Sequence, residues 1–212
     1  PPPPILSGLV GSEMCIRDSL DAATYNTGVG LAALDAITTG DYNVAVGYDG
    51  LTANTTGQSN TATGYRALKE NTSGGYKSAF GMSALAANTT GGFNTAIGQQ
   101  SLYANTTGQK NTAIGFTSLM DNTTGSYNVA TGMSALENNT TGDGNTAHGY
   151  DALKANTTGG SNTASGYGAL KANTTGTRNL AIGMGAYDGA DTENDNLAIG
   201  YDALGGSINR GE

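Results

Sequence analysis

Apolar and polar residues alternate in short bursts along this chain, and the bursts return every 17 residues. The clearest runs Asn-Thr-Ala-Ile-Gly from Asn94 to Gly98, then Leu102, then Asn-Thr-Thr-Gly from Asn105 to Gly108. The same order restarts at Asn111. Stepping by 17 gives eleven units, starting at residues 26, 43, 60, 77, 94, 111, 128, 145, 162, 179 and 196. A period of this size marks a solenoid or array. Numbering each unit 1 to 17, column 5 is Gly in all eleven, from Gly30 to Gly200. Column 1 is Asn in ten, with Lys77 the exception; column 3 is Ala in ten, and column 9 is Leu in ten.

Columns 1–5 have the two-residue period of a strand: Ala in column 3 points one way, and columns 2 and 4 point the other. Asn-Thr-Thr-Gly is turn chemistry, because Asn bonds nearby backbone and Gly permits a left-handed residue. An unvarying Gly in column 5 implies positive φ or a place too crowded for a Cβ. Between these marks no segment reaches the ten or so residues of a stable helix. The competing arrangement is a helix-containing coil, since Tyr65 and Leu68, or Tyr150 and Leu153, stand three apart. Leucine-rich coils of that kind are longer, at about 20 residues or more. The pattern therefore predicts an all-β, parallel β-solenoid of about eleven coils. Ala and Leu ladders lie inside it, including Ala96, Ala113, Leu102 and Leu119, together with an internal Asn ladder from column 1.

The array takes residues 20–204. Residues 1–19 share nothing with it, and 205–212 form a tail or fragment edge. The leader has no basic n-region or long apolar stretch, so it is not a signal peptide. Its segment 7–19, Ser-Gly-Leu-Val-Gly-Ser-Glu-Met-Cys-Ile-Arg-Asp-Ser, resembles a translated sequencing adaptor; the alternative is a disordered leader. Cys15, the single cysteine, lies there, so the array has no thiol or disulfide chemistry. No apolar run is long enough for a membrane-crossing helix, so none is predicted. Net charge is −8, which disfavours nucleic acid and anionic membrane as partners.

Candidate chemistry is sparse. His148, the single histidine, stands in column 4, and one His without Cys assembles neither a zinc site nor a catalytic dyad. Asp188, Asp191, Glu193 and Asp195 cluster in the irregular tenth turn without the spacing of a calcium loop, so a solvated acidic turn is expected. Neither enzyme activity, cofactor nor metal is predicted. Asn54, Asn71, Asn88, Asn105, Asn122, Asn139, Asn156 and Asn173 each head a glycosylation sequon, with Asn138 adding one more. The plainer reading is that Asn-Thr-Thr-Gly is a good turn. Adjacent Thr in columns 13 and 14 invites an ice-binding reading, yet neighbours on a strand face opposite ways.

Columns 2 and 4 mix Val, Ile and Leu with Thr, Ser, Phe and His. A packed interior of identical coils would not hold that range of sizes. The stripe Val44, Val46, Ile97, Ile114, Val129, Leu180, Ile182, Leu197 and Ile199 is therefore expected outside, as a self-association face. Unpaired strand edges at the two ends add axial stacking as a second route, so the expected homo-oligomer is a trimer or a filament.

Asn-Thr-Ala-Ile-Gly followed by a small residue in column 8 resembles the head repeats of YadA-like trimeric autotransporter adhesins over residues 26–204. It also resembles related repeats in phage tail fibres and environmental surface proteins. The resemblance implies a left-handed parallel β-roll, three chains side by side, and adhesion to a host surface or extracellular matrix. The family's usual repeat is shorter, so this coil exceeds it by a Thr-Thr-Gly corner, and neither stalk nor anchor is seen in the chain. The expected function is a non-enzymatic, extracellular or cell-surface fibre or adhesive module. Alternatives are a ligand-binding surface, for ice or glycan, and a phage tail-fibre segment.

Overall fold

A computed structural model describes residues 23–189 and 192–205. It is all-β. Eleven three- or four-residue strands form a single sheet in sequence order: β1 Thr27–Val29, β2 Val44–Val46, β3 Asn60–Thr63, β4 Lys77–Phe80, β5 Thr95–Ile97, β6 Thr112–Ile114, β7 Val129–Thr131, β8 Thr146–His148, β9 Thr163–Ser165, β10 Leu180–Ile182 and β11 Leu197–Ile199. Every pair is parallel, and each residue faces the one 17 positions on, as in Ala96↔Ala113 and Ile97↔Ile114. The 17-residue period thus becomes a parallel β-solenoid of about ten turns, with no helix among the described residues. The predicted leader, residues 1–19, lies outside the described residues, as does most of the tail from 205.

The interior is the Ala ladder of column 3, the small-residue ladder of column 8, the Leu ladder of column 9 and two amide ladders. Ala96, Ala113, Leu102 and Leu119 are wholly buried, like their equivalents in the other regular coils. In column 1, the backbone N–H of each Asn after the first, Asn94 apart, bonds the side-chain Oδ1 of the Asn one coil earlier, as from Asn111 to Asn94 at 2.9 Å and Asn128 to Asn111 at 2.9 Å. In column 12, the amide nitrogens do the equivalent, as from Asn122 to Asn105 Oδ1 at 2.8 Å. Both ladders also converge within a coil. Asn111 Nδ2 and Asn122 Nδ2 donate to the same carbonyl, Gly125 O, at 2.8 and 3.0 Å. That carbonyl ties the start of the coil to its end.

The Asn-Thr-Thr-Gly corner differs from the expectation in its reason for Gly. No left-handed φ occurs at column 15. A Cβ on Gly125 would instead run into the Gly142 carbonyl and the Asn122 and Asn139 amides. Column 5 carries both constraints: Gly64 has φ +131, and its Cβ would meet the backbone of Gly81 at 2.6 Å. The left-handed residues sit in columns 7, 9 and 17, where Leu102 has φ 51, Gln100 57 and Tyr127 60. A non-glycine residue there costs on the order of 1 kcal/mol or more. For Leu in column 9 the burial of its whole side chain, on the order of 2 kcal/mol, offsets that cost.

The helix-like spacing of Tyr65 and Leu68 resolves into these turns. Alternating left-handed residues at columns 7 and 9 cannot continue an α-helix, and Leu68 points inward while Tyr65 stays outside. Outside the strands the walls are held by coil-to-coil bonds. At one corner, Thr72 O accepts the N–H groups of Thr55, Thr56 and Gly57 and the Thr55 hydroxyl.

Candidate self-association face

Columns 2 and 4 lie on the outer side of the strands, opposite the Ala ladder. Ile97 is 42 % exposed and Ile199 63 %, while Val46, Ile114, Val129, Ile182 and Leu197 are also exposed, and Val44 and Leu180 are half-buried. All nine residues of the anticipated stripe are thus on one wall, stacked in register.

The wall is wider than that stripe. Column 6, two residues past column 4, also points outward. It carries Leu31, Tyr48, Tyr65, Met82, Phe116, Met133, Tyr150, Tyr167, Met184 and Tyr201, all exposed, with Gln99 the exception. Consecutive rings stack, with centroids 5.5 Å apart for Tyr48–Tyr65 and 5.1 Å for Tyr150–Tyr167. Reading column 6 down the eleven units would have found this row, since ten of its members are large and apolar. The strand alternation drew attention only as far as the Gly of column 5.

Columns 2, 4 and 6 contain no Asp, Glu, Lys or Arg in any coil. Charges gather instead in columns 7, 10, 11 and 15–17. Lys154 there bridges Glu137 and Asp151 at 3.1 and 3.3 Å, and Lys171 meets Asp151 at 2.8 Å. Those bonds to Glu137 and Asp151 raise the pKa of Lys154, and the bond to Asp151 raises that of Lys171. A face about 50 Å long and about 13 Å wide offers on the order of 650 Å². That approaches the share of about 800 Å² that one partner contributes to a standard interface.

His148 sits exposed on this wall between Thr131 and Ser165. In the tenth turn, Asp195 is engaged by Arg178 through two hydrogen bonds of 2.6 and 2.8 Å, which lower its pKa. Asp191 lies outside the described residues, and no metal-holding group of three or more His, Cys, Asp or Glu occurs among the described ones. The sequon residues Asn54, Asn71, Asn88, Asn105, Asn122, Asn139, Asn156 and Asn173 are wholly buried. The nitrogen on which a glycan would be built is the one committed to Gly carbonyls and ladder amides, for instance Asn71 Nδ2 to Asn54 Oδ1 at 2.7 Å. The folded coil therefore uses them as ladder residues and leaves no room for a glycan. Asn138 alone of the sequon asparagines is exposed. Column 13 hydroxyls are spent as well, with Thr106 Oγ1 bonding Thr123 O at 3.0 Å.

Two large buried residues depart from their columns: Tyr187, 1 % exposed, stands in the Leu column, and Lys77 stands in the Asn column. Lys77 replaces Asn and is 1 % exposed. Its Nζ reaches Gly91 O at 3.0 Å, the carbonyl that the Asn side chain would have met. Its backbone N–H still bonds Asn60 Oδ1 at 3.2 Å. A lysine has no acceptor to offer the next coil, so the ladder is broken between Lys77 and Asn94. Burial pushes the amine down to about 7.

No protein-family model matches the chain, and no curated protein or solved structure does either. What the fold defines is a class: a tandem-repeat parallel β-solenoid with one long, uncharged outer wall.

Proposed function

We propose that this chain is a non-enzymatic structural module that associates side by side with copies of itself, as part of an extracellular or cell-surface fibre or adhesive. The observation that carries the reading is the wall formed by columns 2, 4 and 6. A chain of net charge −8 repels its own copies least on a face without carboxylates, and this wall has none. Such a face, mostly apolar and continuous from coil to coil, exceeds what soluble monomers usually expose. The likeness of Asn-Thr-Ala-Ile-Gly to YadA-like heads supports three chains side by side and adhesion to a host surface or matrix.

Light scattering on the protein tests this directly. The expected result is an oligomer that the paired variant Ile97→Asp and Ile114→Asp converts to monomer. A wild-type chain that stays monomeric at high concentration would refute the reading.

A second reading, glycan binding, has one observation in its favour. A groove of about 260 Å³ is lined by the stacked pair Tyr76–Phe93 together with Gly75, Gly92, Gln58 and Gln109. Its uncharged hydroxyl, amide and aromatic lining suits a neutral sugar. Chemical-shift changes confined to these residues on adding neutral oligosaccharides are its expected signature.

A further inference from the structure

Gln99 is out of keeping with its surroundings. It occupies the one position of column 6 without a large apolar side chain, and its neighbours in columns 4 and 6 are all large and apolar. Its neighbours along the column are Met82 and Phe116, both exposed. Beside it in column 4 run Phe80, Ile97 and Ile114, in register across β4, β5 and β6. No hydrogen bond is made by its carboxamide among the described residues, and neither Met82 nor Phe116 offers a good partner. A Gln ladder along the axis is therefore impossible.

Covering this wall with an apolar surface would bury two amide donors and an acceptor without partners, which is unfavourable. A surface that presents another carboxamide at the same height removes that cost. A second copy of this chain does so when its own Gln99 lies level. We propose that Gln99 sets the register of lateral association, holding copies parallel with like coils side by side. This rests on the self-association reading. A one-coil slip sets Gln99 against Met82 or Phe116 of the neighbour and strands an amide on each copy. Such a slip is disfavoured by on the order of tenfold. A single buried Asn fixes register in coiled coils for the same reason.

Direction follows from the coils beyond. An antiparallel pair centred on Gln99 matches the first coil with the ninth and leaves the last two uncovered. Those carry Ile182, Met184, Leu197, Ile199 and Tyr201, all exposed. A parallel pair covers every coil.

The test uses the full chain in a Cys15→Ser background with Met133→Cys or, separately, Met184→Cys, both in column 6. Under mild oxidation each variant is expected to form a covalent dimer. Adding Gln99→Leu should lower the cross-linked yield about tenfold, while light scattering still shows association. If association persists and neither cysteine cross-links, parallel register is wrong. If Gln99→Leu leaves both yields unchanged, Gln99 is not the residue that sets it. A wild-type chain that is monomeric overturns the self-association reading itself, an outcome distinct from both.

Discussion

The two sides of each strand follow opposite rules. On the inner side, Ala113 and Asn111 recur almost unchanged from coil to coil, because each must fit between copies of itself about 4.8 Å above and below. On the outer side, Thr112 and Ile114 give way to Val129 and Thr131 in the next coil and to Thr146 and His148 in the one after. The backbone ladder is the same on both sides, so the strand alone does not impose the sameness. Packing does: an identical neighbour inside leaves no slack, and an exposed wall accepts any side chain that keeps the pairing.

The largest effect is expected where the inner side has no slack at all. Gly115→Ala drives a Cβ into the backbone of Gly132 at a position with φ +138. A loss of about 5 kcal/mol, or failure to fold, is expected by chemical denaturation. A stable Gly115→Ala array would show that neighbouring coils can separate, against the tight inner rule.

Lys77→Asn sharpens the contrast from the opposite direction, because it repairs the break in the column 1 amide ladder. The folded chain holds the Lys77 amine at about 7, against 10.5 when exposed. Between those values the unfolded chain binds a proton that the folded chain has released. The Lys77 contribution to stability therefore rises with pH from about 7 to about 10.5 and is constant on either side of that window. The deficit at neutral pH and below is on the order of 5 kcal/mol at most. Melting curves of wild type should shift upward through this window, and those of Lys77→Asn should lose that component. Equal slopes in the two proteins would place the amine in water.

Smaller losses follow from the apolar and amide ladders. Leu119→Ala should cost about 3 kcal/mol through lost burial and a residual cavity. Asn122→Ala should cost about 2 kcal/mol, since one N–H of the Asn139 amide loses the acceptor it meets at 2.9 Å and keeps only its bond to Gly142 O. Urea titration separates these from the smallest change, Thr112→Val on the outer wall, expected within about 0.5 kcal/mol. An outer substitution as costly as Leu119→Ala would erase the distinction between the sides.

Most of the fold could be read in the chain because its units repeat. Eleven near-copies separate invariant columns from variable ones, and invariance in an Ala, Leu or Asn column means an inside position. The inward turn of Ala96 and Leu102 and the Asn ladder followed from that. The backbone of the turns was not legible, since left-handed φ at Leu102 or Tyr127 leaves no mark in residue type. Only Gly168 and Gly185 in column 7, and Gly144 in column 17, hint at it, because glycine there replaces a side chain. The Asn-Thr-Thr sequons were misleading for a related reason: a turn-forming Asn and a buried ladder Asn have the same name. The outer wall was half legible. Its column 2 and 4 side chains followed from strand alternation, and column 6 lay past the Gly where alternation stopped being a guide.

Because Gly125 O binds both Asn111 and Asn122, and the other regular coils repeat the pair of bonds, each regular coil is closed on itself and is released as a unit. Pulled lengthwise, the chain would let out one loop at a time. Each release frees 17 residues, roughly 58 Å of extended chain in place of about 5 Å of stack. A force–extension trace would be a sawtooth of even teeth about 50 Å apart. The tooth for the loop that begins at Lys77 would be the lowest, since the next loop receives no amide acceptor from it.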